Sequence, residues 1–454
     1  VLAAAARTRE KGAAMHQVLT AKLKLFPTAD QHAALRATQL AYRDGLNAAS
    51  QYAFAHGKLS NATKIHKGVY RDLRARFGLP AQLACSVSRQ VAATYKGLRT
   101  KTQQNAAHRQ AGRTKQRYKG LDSPPKYVAP TVSYVEGDDY GFKRGQQVSL
   151  HVLQGRIIVP YVGYNQHLTL IRQGAHIGDA KLWYDAPRKQ FYLLVSLTVA
   201  LPDPDPAQQP AVVGVDVGVR YLAVTATPDN QQQFYSGKTA RHRADHYTRK
   251  RKALQHKGTR AAKRRLRQIS GRERRFKLDI NHHIARAIVT AHPNSLIGLE
   301  LLTGIRDRTN RRRSQKASRK QRRANRRQAT WSLAALQAQI AYKAALVGSV
   351  VVQVDADYTS QQCPRCGQTG RENRPNGGLT FACRGCGYRL HADLVGARNV
   401  ALRTLATRQD WIATGCLSTS PDVADREAKA ARLQRYAELR SSPATSPGID
   451  AGVR

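Results

Sequence analysis

The sequence predicts a multidomain α+β protein, on three observations. Its 454 residues exceed one ordinary core. Apolar residues recur at helical spacing between residues 30 and 122, then at every second position between 123 and 200. The C-terminal half carries short apolar runs that each end on one carboxylate, with two Cys-x-x-Cys pairs set among them.

Residues 1–14, an Ala/Arg/Lys stretch without a fold signal, are expected to be a disordered extension, with Met15, the only methionine, as an alternative start. Residues 15–29 supply the first strand of a barrel, because 17–26 alternate polar and apolar up to Pro27. Residues 30–122 form a helical lobe, and the strands that follow it read as a small barrel or sandwich. Thr28 and Gln31 have capping-box spacing; Ile65, Val69, Leu73 and Phe77 recur every four residues; Leu83, Val87, Val91, Tyr95 and Leu98 line a third helix. These stripes read as core, and the Lys and Arg of the other faces as a nucleic-acid surface. Residues 123–200 return to period two, with Val148, Leu150 and Val152 and then Phe191, Leu193, Val195, Leu197 and Val199. Tyr134, Tyr140, Tyr161 and Tyr164 are either base-stacking groups or ordinary strand residues. Residues 201–211, which include Pro202-Asp-Pro-Asp-Pro206, are a stiff linker.

Residues 212–360 read as the first part of an α/β domain. A buried strand ends at Asp216, a hairpin and a long basic helical region follow, and a second strand ends at Glu300. Twelve Lys/Arg between Ile305 and Arg327 face only Asp307, which makes either a solvated run or a backbone clamp. Arg311, Arg312, Arg313, Arg322, Arg323, Arg326 and Arg327 are its candidate phosphate contacts. An Ala/Leu-rich helix over 331–347 leads to a β-branched strand at 350–354. Residues 361–389 are an insert in which Cys363, Cys366, Cys383 and Cys386 have the spacing of a closed, structural tetrathiolate zinc ribbon, with Gly367, Gly385 and Gly387 in its turns. Cys85 and Cys416 are left unpaired. Residues 390–408 complete the domain with a helix led in by Asp393, and 409–454 read as a disordered polar tail.

With 76 Lys+Arg against 29 Asp+Glu, the chain carries +47 and a pI near 10.8, a field that attracts a polyanion. No apolar run approaches the roughly 18 residues of a spanning helix, and the N-terminal stretch lacks a signal peptide's apolar core. A cytoplasmic, nucleic-acid-binding protein is expected, and thiolates kept for metal fit a reducing compartment.

A carboxylate at the end of an apolar strand costs several kcal/mol in desolvation unless it is paired or holds a metal. Taken singly, Asp216 and Glu300 can each pair with an arginine, and Asp393 can be a helix cap. Taken together they make an oxygen-rich set suited to Mg²⁺.

Asp216 in Gly-Val-Asp-Val-Gly, Glu300 in Gly-Leu-Glu, the four cysteines and His391-Ala-Asp393 directly after them resemble the split nuclease domain of the transposon-encoded TnpB/OrfB family, relatives of the type V CRISPR effectors. The resemblance runs from Met15 to Ala406 and is strongest from Val212 onward. It implies an N-terminal barrel with an inserted helical lobe that holds guide RNA and reads a short DNA motif. It also implies an RNase H-like (RuvC) domain interrupted by the ribbon. One position departs: Val395 stands where the family often has asparagine.

The implied activity is RNA-guided cutting of double-stranded DNA. Two Mg²⁺ ions on Asp216, Glu300 and Asp393 would activate water and stabilise the leaving 3′-oxygen. A transposon-derived guide RNA would select the target. The alternatives are an RNA-guided DNA-binding repressor that does not cut, and a recombinase or transposase.

Overall fold

A computed structural model describes residues 7–10, 15–129, 131–201, 209, 211–302, 318, 333–375, 379–422 and 425–440. The chain divides into two compact units, His16–Ala200 and, together, Val1–Met15 with Leu201–Arg454. Strand β1 (Arg7–Glu10) belongs to the second unit.

In the first unit, β2 (Met15–Leu25) is followed by α1 (Ala29–Ala55), α2 (Ala62–Phe77) and α3 (Ala81–Gln110). The Thr28 hydroxyl accepts from Gln31 N while Thr28 N donates to the Gln31 side chain, a reciprocal cap that fixes where α1 begins. After the helices come β3 (Thr131–Tyr134), β4 (Tyr140–Lys143), β5 (Gln147–Val152), β6 (Gly155–Val162), α4 (Asn165–Arg172), β7 (His176–Asp185) and β8 (Gln190–Leu201). The seven strands form one sheet in the order β3-β7-β8-β2-β6-β5-β4, so the strand that precedes the helices sits in its middle. Tyrosines draw the two edges of the sheet together. Tyr134 Oη of β3 donates to His151 O of β5 at 3.0 Å, and Tyr140 Oη of β4 donates to Gly178 O of β7, giving a nearly closed barrel. Tyr134, Tyr140 and Tyr161 are therefore core, and Tyr164 alone of the four is exposed.

Asp139, between β3 and β4, is fully buried. Its Oδ2 accepts from Val135 N at 3.1 Å, and its Oδ1 has no hydrogen-bond partner among the described residues. Burial pushes its carboxyl up to about 6, helped by Asp138 and opposed by the Val135 N–H, Arg156 and Arg89.

The second unit is built on a five-stranded sheet of order β11-β10-β9-β12-β13. Its strands are β9 (Ala211–Asp216), β10 (Tyr221–Ala226), β11 (Gln232–Ser236), β12 (Ser295–Glu300) and β13 (Val350–Val354). The hairpin β10-β11 is antiparallel to β9, whereas β12 and β13 run parallel to it. Helices α5 (Lys238–Lys257), α6 (Arg260–Ile269) and α7 (Arg272–Ala291) lie between β11 and β12, and α8 (Leu333–Ala345) between β12 and β13. Odd-numbered strand residues Val213, Val215, Ile297 and Leu299 pack with Ile284, Ile288, Leu336 and Ile340 of α7 and α8.

The even face carries Val212, Gly214 and Asp216 on β9 and Leu296, Gly298 and Glu300 on β12, with Gly214 opposite Gly298. Helix α9 (Ala392–Thr414) lies across it. A Cβ on Gly214 would stand 2.2 Å from Ala397 O and Ala401 N, and one on Gly298 would stand 1.7 Å from Thr404 Oγ1. Gly214 thus lets the helix backbone rest on a strand backbone, and Gly298 makes room for helix side chains.

Between β13 and α9 the chain makes the cysteine insert, with β14 (Thr380–Ala382) antiparallel to β15 (Arg389–His391). Phe381, Tyr388 and Val395 pack around Cys363 and Cys383.

Two expectations at the chain ends need correction. The tail assigned from residue 409 contains the end of α9, strand β16 (Cys416–Ser420) and α10 (Arg426–Glu438). The extension assigned to 1–14 contains β1, which pairs antiparallel with β16. Trp411 and Leu417 pack with Val212, Leu296, Val350 and Val352, and Tyr436 is also buried. A few widely spaced apolar side chains thus anchor a stretch whose average composition is polar. Residues 441–454 lie outside the described residues, as do 202–208 and 210 of the expected linker. So do the seven arginines of the expected clamp, Arg311, Arg312, Arg313, Arg322, Arg323, Arg326 and Arg327.

Gly214→Ala would press on backbone atoms that cannot rotate away, whereas Gly298→Ala meets the side chains of Thr404 and Val400. Denaturant unfolding should show a loss of roughly 3 kcal/mol or more for Gly214→Ala and a smaller loss for Gly298→Ala. Because Asp139 holds its proton more tightly when folded, its contribution is full below the ordinary 3.8 and is lost as pH rises through about 6. Unfolding midpoints of the full chain should reflect that loss across the window, and Asp139→Asn should flatten it.

Candidate nuclease and thiolate sites

Asp216 closes β9 and Glu300 closes β12, and these parallel neighbours are in register at Val215 and Leu299. Asp393 stands in the first turn of α9, three residues before Gly396, on the face that rests against the sheet. A Cβ on Gly396 would lie 3.2 Å from Asp216 Cγ, so that turn sits directly on the Asp216 carboxylate. The structure therefore brings the three acids to one rim of the sheet.

The electrostatics of the rim are unfavourable without a cation. Burial pushes the Asp216 carboxyl well above the usual range, the charges of Glu300 and Asp393 push it further, and Arg374 and the Val217 N–H oppose them. Glu300 is nearly buried, and one of its oxygens accepts from Thr359 Oγ1 at 2.5 Å. Gln337 Nε2 donates to Glu300 O at 2.8 Å, which ties α8 to the end of β12. His391 caps α9: its Nδ1 accepts from Asp393 N at 3.2 Å, and its ring meets Tyr221 and Phe234 edge-on. Burial lowers the His391 pKa, as do Arg220 and Arg374, against the opposing charge of Asp393.

Next to Glu300 on the same rim, Asp355 is also buried, but Arg432 Nε donates to its Oδ2 at 2.8 Å. This fourth acid is held by an arginine of the C-terminal segment.

Among the described residues, the four cysteines are the one group of His, Cys, Asp or Glu ligand atoms that close to within 4.8 Å of one another. Cys363 and Cys386 Sγ are 3.7 Å apart, and Cys366 and Cys383 Sγ 3.4 Å. Those separations exceed a disulfide's roughly 2.05 Å and approach the roughly 3.8 Å edge of a tetrahedron with 2.3 Å zinc–sulfur bonds. Two equivalent knuckles build the cluster. Gly367 N donates to Cys363 O and Gly387 N to Cys383 O, both glycines having left-handed φ, at 79° and 69°. Gly385, expected in the same role, is not among the positive-φ residues. Val395 is fully buried under this cluster and so faces the ribbon.

The sequence reading did not find Thr359, Gln337, Arg374 or Asp355. None stands in a pattern that sequence spacing can distinguish; Arg374 is one of three charged residues, with Arg371 and Glu372, between the two cysteine pairs.

In the first unit, a cleft of about 500 Å³ opens between α3 and the strands β3 and β7, with Arg89, Gln90, Thr94, Ser133 and Lys181 on its walls.

Residues 195–302, which include β9 to β12, match the model of a family described as a probable transposase, OrfB_IS605. Residues 334–400, from α8 to the first turns of α9, match the Cas12f1-like TNB domain. Over 140 residues the chain is 34% identical to the CRISPR-associated endodeoxyribonuclease Cas12f1 of Sulfoacidibacillus thermotolerans, covering 30% of this chain and 29% of that protein. Over 62 residues it is 44% identical to the putative RNA-guided DNA endonuclease InsQ of Escherichia coli K12, covering 14% and 15%. The aligned segments thus span under a third of these relatives' lengths. Among solved structures, CasPhi-2 (Cas12j) bound to crRNA matches at TM-score 0.51 and 10% identity, over 88% of this chain and 98% of that one. The mini-RNA-guided endonuclease CRISPR-Cas_phi3 matches at 0.50 and 11%, over 89% and 94%. At such identities the likeness is one of fold, mixed α/β and multidomain. From residue 195 to residue 400, where the sheet, the cysteine insert and the start of α9 are formed, this chain is similar to the OrfB_IS605 family, to Cas12f1 and to InsQ.

Proposed function

We propose that this chain is the RNA-guided DNA endonuclease of a transposable element, and that its second unit is an RNase H-like (RuvC) phosphodiesterase. The observation that carries this reading is the convergence of Asp216, Glu300 and Asp393 on one rim, from two neighbouring strands and the helix laid across them.

The rim fits Mg²⁺ in its chemistry: its donors are all carboxylate oxygens, and burial, followed by the charges of Glu300 and Asp393, raises the Asp216 pKa, an environment that a cation would offset. Asp216, Glu300 and Asp393 are the residues that would hold the ions. When bound, such a pair supplies an activated water and charge neutralisation at the leaving 3′-oxygen. The chain's own part is positional. The β9–β12 register fixes the spacing of Asp216 and Glu300, and the glycine contacts fix how closely Asp393 approaches. Arg374 adds a positive charge beside Asp216, where a scissile phosphate would lie. The cysteine cluster is read as a structural zinc site, closed by four protein ligands and therefore without a place for substrate.

The charge of +47 suits an RNA guide and a DNA duplex held through their phosphates. In the first unit, the cleft walled by Arg89, Gln90, Thr94, Ser133 and Lys181 has the donors and acceptors needed to read base edges of a short motif beside the target. The probable-transposase description of the matched family keeps one second reading in view, a recombinase that joins DNA ends as well as cutting them.

Asp216→Ala in the full chain should abolish DNA cutting while leaving affinity for RNA and DNA within about twofold, as followed by gel shift and end-labelled cleavage. A repressor would lose nothing, and joined products from labelled element ends would favour the recombinase. Elemental analysis should find one zinc per chain, lost in Cys383→Ser together with several degrees of thermal stability, on the order of 5 °C or more.

A further inference from the structure

We propose that Thr359 is a positioning residue for Glu300, and that helix α10 is the strap that holds Thr359 in place. This rests on the reading of Glu300 as a metal ligand.

Thr359 is buried and its hydroxyl donates to Glu300 Oε1 at 2.5 Å. A carboxylate oxygen that accepts an O–H is held in one orientation. Thr359 belongs to residues 355–362, the segment between β13 and the first cysteine, which has no regular structure of its own. Tyr358 within it has a left-handed φ of 62° although it is not glycine, a conformation that lasts only where the surroundings impose it.

Two helices do the imposing. From α9, Asn399 Nδ2 donates to Thr359 O at 2.6 Å and to Gln362 O at 2.8 Å, and Arg403 donates to Asp355 O at 2.5 Å and to Gln362 Oε1 at 3.1 Å. From α10, Arg432 pairs with buried Asp355 at 2.8 Å and Lys429 with Asp357 at 2.5 Å. Gln362 donates in turn to Tyr436 O of α10, and the Arg403 guanidinium lies 4.5 Å from the centre of the Tyr436 ring. The C-terminal helix is thereby connected to the carboxylate through ion pairs, one short segment and one hydroxyl. Of these links only the last touches the site.

The test uses the full-length, zinc-loaded protein and compares native, Thr359→Val, Thr359→Ser, the double variant Arg432→Met/Lys429→Met, and Asp216→Ala as reference. The readouts are Mn²⁺ binding by loss of the free-ion EPR signal, thermal unfolding without added divalent ion, and hydrogen exchange over residues 355–362. Thr359→Val should bind Mn²⁺ roughly tenfold more weakly than native, with Thr359→Ser restoring most of the affinity. The double variant should weaken Mn²⁺ binding in the same direction and speed exchange in that segment. The unfolding midpoint shows whether Thr359→Val is folded, and the Ser and double-variant arms decide the question even where it is not. Native affinity in Thr359→Val, or no restoration by Thr359→Ser, overturns the role of Thr359. Unchanged binding and exchange in the double variant overturn the role of the strap. If native protein and Asp216→Ala bind Mn²⁺ equally, the metal reading of the rim fails and this proposal with it. If Asp216→Ala loses Mn²⁺ and Thr359→Val keeps it, only the present proposal fails.

Discussion

Helix α9 packs close on β9 and β12 because two strand positions have no side chain: its backbone rests on Gly214, and its Thr404 and Val400 side chains fill the space at Gly298. Gly214 and Gly298 lie opposite each other, each two residues before an acid and on the same face as that acid. A strand side chain there would lift the helix and carry Asp393 away from Asp216. The same contact serves folding and site assembly, since the helix that closes the sheet also brings the third acid. Interiors pack closely enough that this approach cannot be relaxed without a shift elsewhere.

The rim is arranged around repulsion. Asp216 is raised by burial and by two like charges, and the opposing groups nearest it are Arg374 and one backbone N–H. Asp355, just after the adjoining strand β13, is paired with Arg432. The ribbon contributes twice: its thiolates hold the insert together, and its Arg374 reaches the electrostatics of the rim.

Much of the frame could be read from the sequence because its signals are local. Thr28 and Gln31 announce the start of α1 by spacing, the alternation of residues 190–201 is β8, and the apolar runs that end at Asp216 and Glu300 are β9 and β12. The cysteine cluster follows from four residues at a known interval. What stayed hidden depends on contacts distant in sequence. Thr359 reaches Glu300 across 59 positions, and Arg432 reaches Asp355 across 77. The C-terminal segment was misjudged because Trp411, Leu417 and Tyr436 are too far apart to leave a periodic pattern, although each is buried. Val395 could not be interpreted from sequence, since whether it faces the acids or the ribbon is decided only by the placement of α9.

The central claim is that RNA directs this metal-suited rim to DNA. It is tested most directly by purifying the chain with the RNA it carries in its native locus, replacing the targeting end of that RNA, and sequencing the DNA ends produced. The account predicts that the cut site moves to match the new RNA end and that cutting stops when RNA is withheld. Cutting that stays at the original sites, or proceeds equally well without RNA, would contradict it.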